Sequence, residues 1–431
     1  MRGDAAAADW RRVTREVADD LAVDAGDRDR AGKPPYDELA RLREAGLPAR
    51  LTPPGPGGRR GAAWTAACAA IREVAAADGS VGELLAHHYA LSWTSRLLAA
   101  TEPEAEPETA GAAVSGAGAA VGAVTGVAAS AVAGFGVAEG LDRAAAREGW
   151  LLAGGVEPSR TGADLTLTPA DGPRVLDGRR YFASGVTVAD RLVVGARCTR
   201  TGDLLVVLVD PSDPTVCVEP AADRVGQRVA GAGTVAFSRT PVAPSQLLGR
   251  LPRDEHAVAP YAALAPLLSR LLLTQVALGV AEGALAEARD AVRAAQAAPP
   301  PDGTAFVARD DDPYLLLAYG ELATAAHTAA SVAARATDGL ARGLAAGPGL
   351  GVEERAELAV LVAAAETVTG RAAEQITTRV LELVGPADTD GVTGLDRFWR
   401  DARALTARHS PPHRLRAIGD HYLNAGLPLA G

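Results

Sequence analysis

The chain has 431 residues, 48% of them hydrophobic and 22% charged, so it can bury a large core and form two or three structural units. A formal net charge of -10 and a pI of about 5.3 argue against binding to the phosphate backbone of nucleic acid. The three cysteines are widely spaced and form no CxxC pair, which indicates neither a disulfide framework nor a metal cluster. We therefore expect a globular cytoplasmic protein without a metal.

The first hundred residues have the apolar spacing of helices, and they lack the apolar run of a secretion signal. Apolar residues recur every three or four positions in 36–45 and in 62–77, and a Pro/Gly run at 53–58 separates these two segments. An uncharged stretch at 110–138 follows a Glu/Pro-rich linker. It is long enough to cross a bilayer, but it lacks Leu, Ile, Trp and Tyr. We expect an Ala/Gly-rich insertion at about 101–138 and no membrane span.

After about residue 150 the pattern changes to short β-branched runs separated by turn pairs, as at 165–168, 191–194 and 204–209. Long helical patterns return toward the C-terminus, at 264–294, 313–345 and 353–384. These Ala-rich helices suit a closely packed bundle. The predicted domains of this α+β protein are 1–149 (helical), 150–254 (β-structure) and 255–431 (helical bundle).

Seven motifs, in this order, resemble those of the acyl-CoA dehydrogenase superfamily. They are 39–47 with Gly57-Gly58, 71–80, 157–164 (similar to TEPxxGSD), 176–185, 226–237, the strip 397–411 (RFWRDARALTARHSP) and the closing segment 416–426. The last two are similar to the flavin-dependent monooxygenases related to dibenzothiophene monooxygenase. Two departures are Ser410, where that family has Asn or Asp, and one inserted residue in the closing turn.

The resemblance implies an N-terminal helical domain, a central β-barrel or sandwich and a C-terminal four-helix bundle. It also implies a two-component monooxygenase that takes reduced FMN or FAD from a separate reductase. Such an enzyme forms a C4a-(hydro)peroxide with O2 and oxygenates nitrogen, sulfur or aromatic carbon of a small molecule or natural-product intermediate. A homotetramer is expected from the family.

Two alternatives stay open. An acyl-CoA dehydrogenase needs a carboxylate base, but no Asp or Glu follows Arg403 as far as His409. That leaves Glu282, Glu321 or Glu366 on earlier bundle helices. These three are more typical of solvated or salt-bridged positions. The second alternative is a non-catalytic member that acts in an assembly, which a closed cavity would favour.

The resemblance also proposes site residues. Its catalytic candidates are His88, His409 and Ser184, because a histidine pKa lies near the working pH. Its flavin-binding candidates are Glu157, Ser159, Ser184, Gly185, Arg270, Arg400 and Arg403. For both histidines a structural or surface role is the competing interpretation, and for the serines it is a role in turns.

Overall fold

The computed structural model describes residues 2–51, 60–98, 140–157, 165–170, 173–297, 312–384, 394–407 and 411–428. The insertion predicted at about 101–138 lies outside these ranges. The helices described are α1 (Arg2–Ala22), α2 (Ala25–Ala31), α3 (Tyr36–Glu44), α4 (Arg60–Ala77), α5 (Gly79–Leu98), α6 (Leu141–Glu148), α7 (Leu264–Ala297), α8 (Pro313–Ala346), α9 (Val352–Val384), α10 (Asp396–Thr406) and α11 (Pro411–Asn424).

The predicted helices are confirmed, and the reason is their apolar spacing. In α3 the apolar residues Leu39 and Leu42 are buried, while acidic residues occupy the first turn and arginines the last, which complements the helix dipole. The C-terminal part contributes three long helices and two short ones, and α4 packs against α7 and α8. These helices share one large core with α1 and α5.

Helix α7 lies at the centre of this core and approaches α4 closely. A Cβ at Gly279 would overlap the carbonyl oxygen of Arg72, and a Cβ at Gly283 would overlap that of Ala76, so glycine is needed at both crossings. Helix α7 is also apolar and long enough to cross a bilayer, but 78% of its most apolar window is buried inside the protein. That environment is typical of a bundle-core helix.

The middle part is one eight-stranded sheet. Its strands are β1 (Leu152–Gly155), β2 (Thr166–Thr168), β3 (Arg174–Phe182), β4 (Arg191–Cys198), β5 (Leu204–Val209), β6 (Val216–Pro220), β7 (Gly233–Val242) and β8 (Leu247–Leu251). The order is β6-β7-β3-β2-β4-β5-β8, with β1 added in parallel to β4. Strand β2 is also parallel to β4, and the other pairs are antiparallel.

The sheet curls around its own core. Side chains of β5 and β7 lie in the same buried cluster although three strands separate them, with Val207 and Val235 fully buried there. The outer face of β1, β4, β5 and β8 packs against α5 and α6 in a second cluster that includes Leu91 and Leu152. Helix α5 therefore lies between the sheet and the helical core, where it carries His88 and approaches Gly185.

Candidate active site

The end of β3 forms a buried polar turn against α5. Ser184 is 2% exposed and its hydroxyl donates to the Ala230 carbonyl at 3.2 Å. Gly185 has a φ of +77°, a region that favours glycine, and its N–H donates to the same carbonyl at 2.7 Å. The hydroxyl oxygen of Thr187 is buried and has no hydrogen-bond partner in the part of the chain that the structure describes.

His88 lies in α5 with 1% of its surface exposed, and backbone groups use both of its ring nitrogens. The Leu152 N–H donates to Nδ1 at 3.1 Å, so Nε2 carries the proton and donates to the Pro48 carbonyl at 3.0 Å. Burial lowers the pKa of His88 from 6.5 to about 4. This neutral, fully bonded imidazole favours the structural interpretation, and a catalytic role for His88 stays a prediction.

Three other candidates are Glu157, Ser159 and His409. Glu157 is exposed just beyond the end of β1. Ser159 and His409 lie outside the described residues, between Glu157 and Leu165 and between α10 and α11 respectively. Their proposed contacts with flavin or substrate stay predictions from the resemblance.

Arg270 lies in the bundle core and is 8% exposed. It donates to Oε2 of Glu366 on α9 through Nη2 at 2.6 Å and through Nε at 3.0 Å. Arg414 of α11 reaches the same carboxylate oxygen at 3.1 Å. Two buried guanidiniums therefore share one buried carboxylate.

Arg400 and Arg403 are also paired with carboxylates. Arg400 joins α10 to α2, with Nη2 at 2.5 Å from Asp29, and it bonds Asp396 within its own helix at 3.0 Å. Arg403 is half exposed and lies 3.0 Å from Glu374 on α9. The structure thus gives each predicted phosphate ligand a carboxylate partner, and phosphate binding by them stays a prediction.

A buried junction that the sequence motifs did not reveal joins α5, α10 and the loop between β6 and β7. The Gln227 N–H donates to Asp401 at 2.5 Å, and its side-chain amide, with the nitrogen toward α5, donates to Glu83 at 2.7 Å and to the Gly79 carbonyl at 3.0 Å. A Cβ at Gly79 would lie 2.8 Å from the Asp401 carboxyl. Burial raises the pKa of Asp401 to about 8, and the nearby Asp78 adds to the rise. In the sequence, this junction was indicated only by Gly79 at the start of α5 and by the pair Gly226-Gln227.

The cavities of the described part of the bundle include a large groove and a smaller, more enclosed site. The larger, about 810 Å³, is an open groove between α8 and α9 that is flanked by exposed Leu316 and Leu317. The smaller, about 170 Å³, is more enclosed and lies among α9, α10 and α11.

The Ser184 turn fits the polar ring edge of a flavin. Thr187 offers a buried hydroxyl that lacks a described partner, and the hydroxyl of Ser184 is a rotatable donor beside it in the chain. The residues proposed to bind the flavin phosphate fit less well, because all three arginines form ion pairs with carboxylates. The residues present therefore fit a flavin ring more clearly than they fit its phosphate.

Comparison with known proteins places these features in a family. Residues 271–410 match the model of the acyl-CoA dehydrogenase C-terminal domain. Dibenzothiophene monooxygenase of Rhodococcus qingshengii is 29% identical over 99% of this chain and 96% of its own length. The probable FMNH2-dependent monooxygenase SfnC of Pseudomonas putida is 27% identical over 96% of this chain and 95% of its own length.

A solved structure agrees over the same length. FMN-bound TdsC of Paenibacillus sp. A11-2 superposes with a TM-score of 0.80 and 29% identity, covering 98% of this chain and 99% of that one. Similarity in sequence and fold thus spans all three parts of the molecule. The chain is similar over nearly its whole length to flavin-dependent monooxygenases, and in its C-terminal part to the acyl-CoA dehydrogenase family.

Proposed function

We propose that this chain is the oxygenase component of a two-component monooxygenase that receives reduced FMN from a separate flavin reductase and oxygenates a small organic molecule with O2. The observation that carries the proposal is the full-length similarity to flavin-dependent monooxygenases, one of which is FMN-bound. The preference for FMN over FAD follows from the same relatives. That the oxygen is carried as a C4a-(hydro)peroxide stays a prediction, as does the atom that is oxygenated.

In this proposal the bound flavin supplies the electrons that activate O2, and the protein positions and shields the ring. Thr187 donates to the polar ring edge from the turn after β3, and Ser184 does so once its hydroxyl rotates away from the Ala230 carbonyl. Leu84 of α5 and Ala153 of β1 pack against Gly185 and exclude water behind that turn. His409 is the proposed proton donor, because His88 is held neutral by two backbone groups.

Two bundle carboxylates are unsuited to the dehydrogenase alternative. Glu282 forms an ion pair with Arg72 of α4. Glu366 accepts two hydrogen bonds from Arg270 and forms an ion pair with Arg414. Because guanidinium groups occupy both carboxylates, neither is arranged to take a proton from an acyl thioester.

One observation favours the non-catalytic alternative. A Cβ at Gly185 would lie 2.8 Å from the Ala153 Cβ and 3.2 Å from Leu84, so sheet and α5 are closely packed at the turn. A member without a flavin site would bind neither FMN nor FAD, and a titration separates the two cases.

The test is an anaerobic titration with reduced FMN and reduced FAD, followed by rapid mixing with oxygenated buffer while the flavin spectrum is recorded. We expect reduced FMN to bind, and the return to oxidised flavin to be delayed by the protein and accelerated in His409→Ala. Ser184→Ala should weaken FMN binding about fivefold to thirteenfold, the value of one hydrogen bond of about 1–1.5 kcal/mol. Ser331→Ala is the matched control, since its hydroxyl bonds only a carbonyl of its own helix.

Three outcomes would change the proposal. Absence of binding by either flavin supports the non-catalytic alternative. Bleaching of enzyme-bound oxidised flavin by acyl-CoAs supports the dehydrogenase. Equal effects of Ser184→Ala and Ser331→Ala would remove the Ser184 turn from the flavin site.

We further propose a homotetramer in the cytoplasm, with the groove between α8 and α9 as a subunit contact. Its support is the exposure of Leu316 and Leu317, 59% and 61%, beside an apolar groove. Sedimentation of Leu316→Lys against wild type tests the contact, because a monomeric wild type or an unchanged assembly in the variant would contradict it. Natural-product intermediates are the proposed substrates.

A further inference from the structure

The loop between β6 and β7 holds the Ser184 turn in place. In this loop, the Ala230 carbonyl accepts from the Ser184 hydroxyl at 3.2 Å and from the Gly185 N–H at 2.7 Å. The next carbonyl, that of Gly231, accepts from the Thr187 N–H at 3.2 Å. Three donors of the turn therefore bond to two consecutive carbonyls, so the position of the turn depends on the position of the loop.

Gln227 lies in the same loop, is fully buried, and bonds toward the turn through its carbonyl. This carbonyl accepts from the Ala230 N–H at 3.2 Å and from Nη1 of Arg224 at 2.6 Å. The same Nη1 donates to the carbonyl of Ala183 at 3.2 Å, directly before Ser184. Gln227 is thus connected to the turn by two routes, one through Ala230 and one through Arg224.

The other polar groups of Gln227 bond to two helices. Its N–H donates to Asp401 of α10 at 2.5 Å, and its side-chain amide donates to Glu83 at 2.7 Å and to the Gly79 carbonyl at 3.0 Å, both on α5. Asp401 is 4% exposed and Glu83 is fully buried, so water cannot readily replace a bond that is lost here. Gln227 therefore ties the loop to α5 and α10.

The backbone of Gln227 is strained. Its φ is +54°, in the left-handed region that favours glycine. Such strain persists only where the surrounding structure over-determines a residue, and it concentrates at functional sites. A glycine would relieve the strain but would lose the side-chain bonds to α5, so these bonds account for a glutamine at this position.

We propose that Gln227 is a positioning residue for the Ser184 turn, and that it transmits the geometry of α5 and α10 to the hydroxyls of Ser184 and Thr187. A site works only when its polar groups are held in place by supporting contacts of this kind. The use of the turn for a flavin rests on the proposed function, whereas the link from Gln227 to the turn does not. Without the Gln227 side chain, the two hydroxyls are present but displaced.

Hydrogen–deuterium exchange of the full-length, flavin-free chain tests the link to the turn. Gln227→Asn keeps the backbone N–H and a residue type that tolerates positive φ, but its amide is one methylene too short to reach Glu83. The N–H groups of Gly185 and Thr187 should exchange about tenfold faster in this variant, the effect of losing one hydrogen bond behind them. Exchange in α9 should stay as in the wild type.

Gln275→Asn is the matched control for a shortened buried glutamine. Gln275 is 4% exposed, and its amide donates to the Thr337 hydroxyl within the bundle at 3.1 Å. In this control the turn should exchange as in the wild type. An unchanged turn in Gln227→Asn, an equal acceleration throughout α9, or an equal acceleration of the turn in Gln275→Asn would overturn the positioning role.

Arg224→Ala tests the second route and decides the question if Gln227→Asn does not fold. Arg224 is only partly buried, and the change removes its bonds to the carbonyls of Ala183 and Gln227. The turn should again exchange faster, whereas Arg179→Ala, which removes an exposed ion pair with Glu219 from β3, should leave it unchanged. An accelerated turn in Gln227→Asn alone would assign the effect to the Ala230 route. If Gln227→Asn is unfolded, an unchanged turn in Arg224→Ala overturns the role.

A double-mutant cycle on FMN affinity tests whether the positioned turn serves the flavin. Ser184→Ala should weaken FMN binding in the wild type as stated above, but by less than about twofold in the Gln227→Asn background, because the hydroxyl is already displaced. In the Gln275→Asn background it should keep its full effect. A full effect in both backgrounds would overturn the assignment of Gln227 to the flavin site.

The two measurements fail separately. If the wild type binds neither FMN nor FAD, the proposed function is wrong, and the exchange rates alone decide whether Gln227 positions the turn. If the wild type binds FMN but the turn exchanges equally in wild type and Gln227→Asn, the proposed function stands and the positioning role is wrong.

Discussion

Asp401 should make the protein less stable as the pH rises, because its carboxyl is buried in the junction of α5, α10 and the β6–β7 loop. Its pKa is raised from 3.8 to about 8, mainly by burial, with Asp78 and Asp29 adding to the rise, while the Gln227 N–H and Arg400 oppose it. Between these two pH values the unfolded chain has lost the proton and the folded chain keeps it. The free energy of unfolding therefore falls by up to about 1.4 kcal/mol for each pH unit.

Asp401→Asn removes this dependence, because the amide is neutral at every pH and keeps an oxygen to accept from Gln227. From pH 5 to pH 8 the wild type should lose up to about 4 kcal/mol relative to the variant. The assay is urea unfolding at fixed protein concentration across this range. Asp396→Asn is the control, since its carboxylate is 55% exposed in the same helix. If the free energy of unfolding changed with pH in parallel for wild type and Asp401→Asn, a protonated Asp401 would be refuted. The absence of a protonated-carboxyl band at pH 6 from their infrared difference spectrum would also refute it.

Three further predictions concern packing and buried charge. In urea unfolding, Gly226→Ala should destabilise the protein by about 1–3 kcal/mol, because its Cβ would overlap the Arg400 carbonyl. Gly320→Ala, with open space around its Cβ, should stabilise the protein by about 0.5–1 kcal/mol. The reverse order of stabilities would contradict the packing. Glu366→Gln should cost about 3–5 kcal/mol by removing the buried carboxylate charge that Arg270 and Arg414 share. Its exposed counterpart Glu374→Gln should cost under about 1 kcal/mol, so similar losses would argue against the buried cluster. His88→Gln should abolish a loss of stability that the wild type shows as the pH falls from 6.5 toward 4, where the unfolded histidine gains a proton and the folded one does not.

The helices could be predicted closely from the sequence, and the order of the strands could not. The apolar spacing in 313–345 and 353–384 gave α8 and α9 to within a residue at either end. Strand order depends on pairings between distant segments, such as the parallel pair of β1 with β4, and no local pattern carries that information. The resemblance supplied the three-part architecture, since the motifs occur in the same order.

The candidate site was harder to predict, because what decides each role is the partner and not the residue type. The two backbone groups that hold His88 belong to Pro48 and Leu152, which are 40 and 64 residues away in the sequence. A histidine that resembles a catalytic residue is therefore indistinguishable in sequence from one that ties α5 to the sheet. The same holds for Arg270, whose carboxylate partner is 96 residues further along the chain.

The C-terminal strip illustrates how one motif can report both a fold and a function. Four of its charged residues lie on α10, and each bonds to a different element of the molecule. Arg397 bonds to Glu287 of α7, Arg400 to Asp29 of α2, Asp401 to Gln227 of the β6–β7 loop and Arg403 to Glu374 of α9. Helix α10 thus joins all three parts of the chain. Loss of flavin binding in a variant of Arg400 would consequently reflect either a lost ligand or a loosened junction. Comparison with Asp29→Asn separates the two explanations, because Asp29→Asn weakens the same ion pair but leaves the Arg400 guanidinium in place. Only a ligand role for Arg400 predicts that FMN affinity survives in Asp29→Asn and falls in Arg400→Gln.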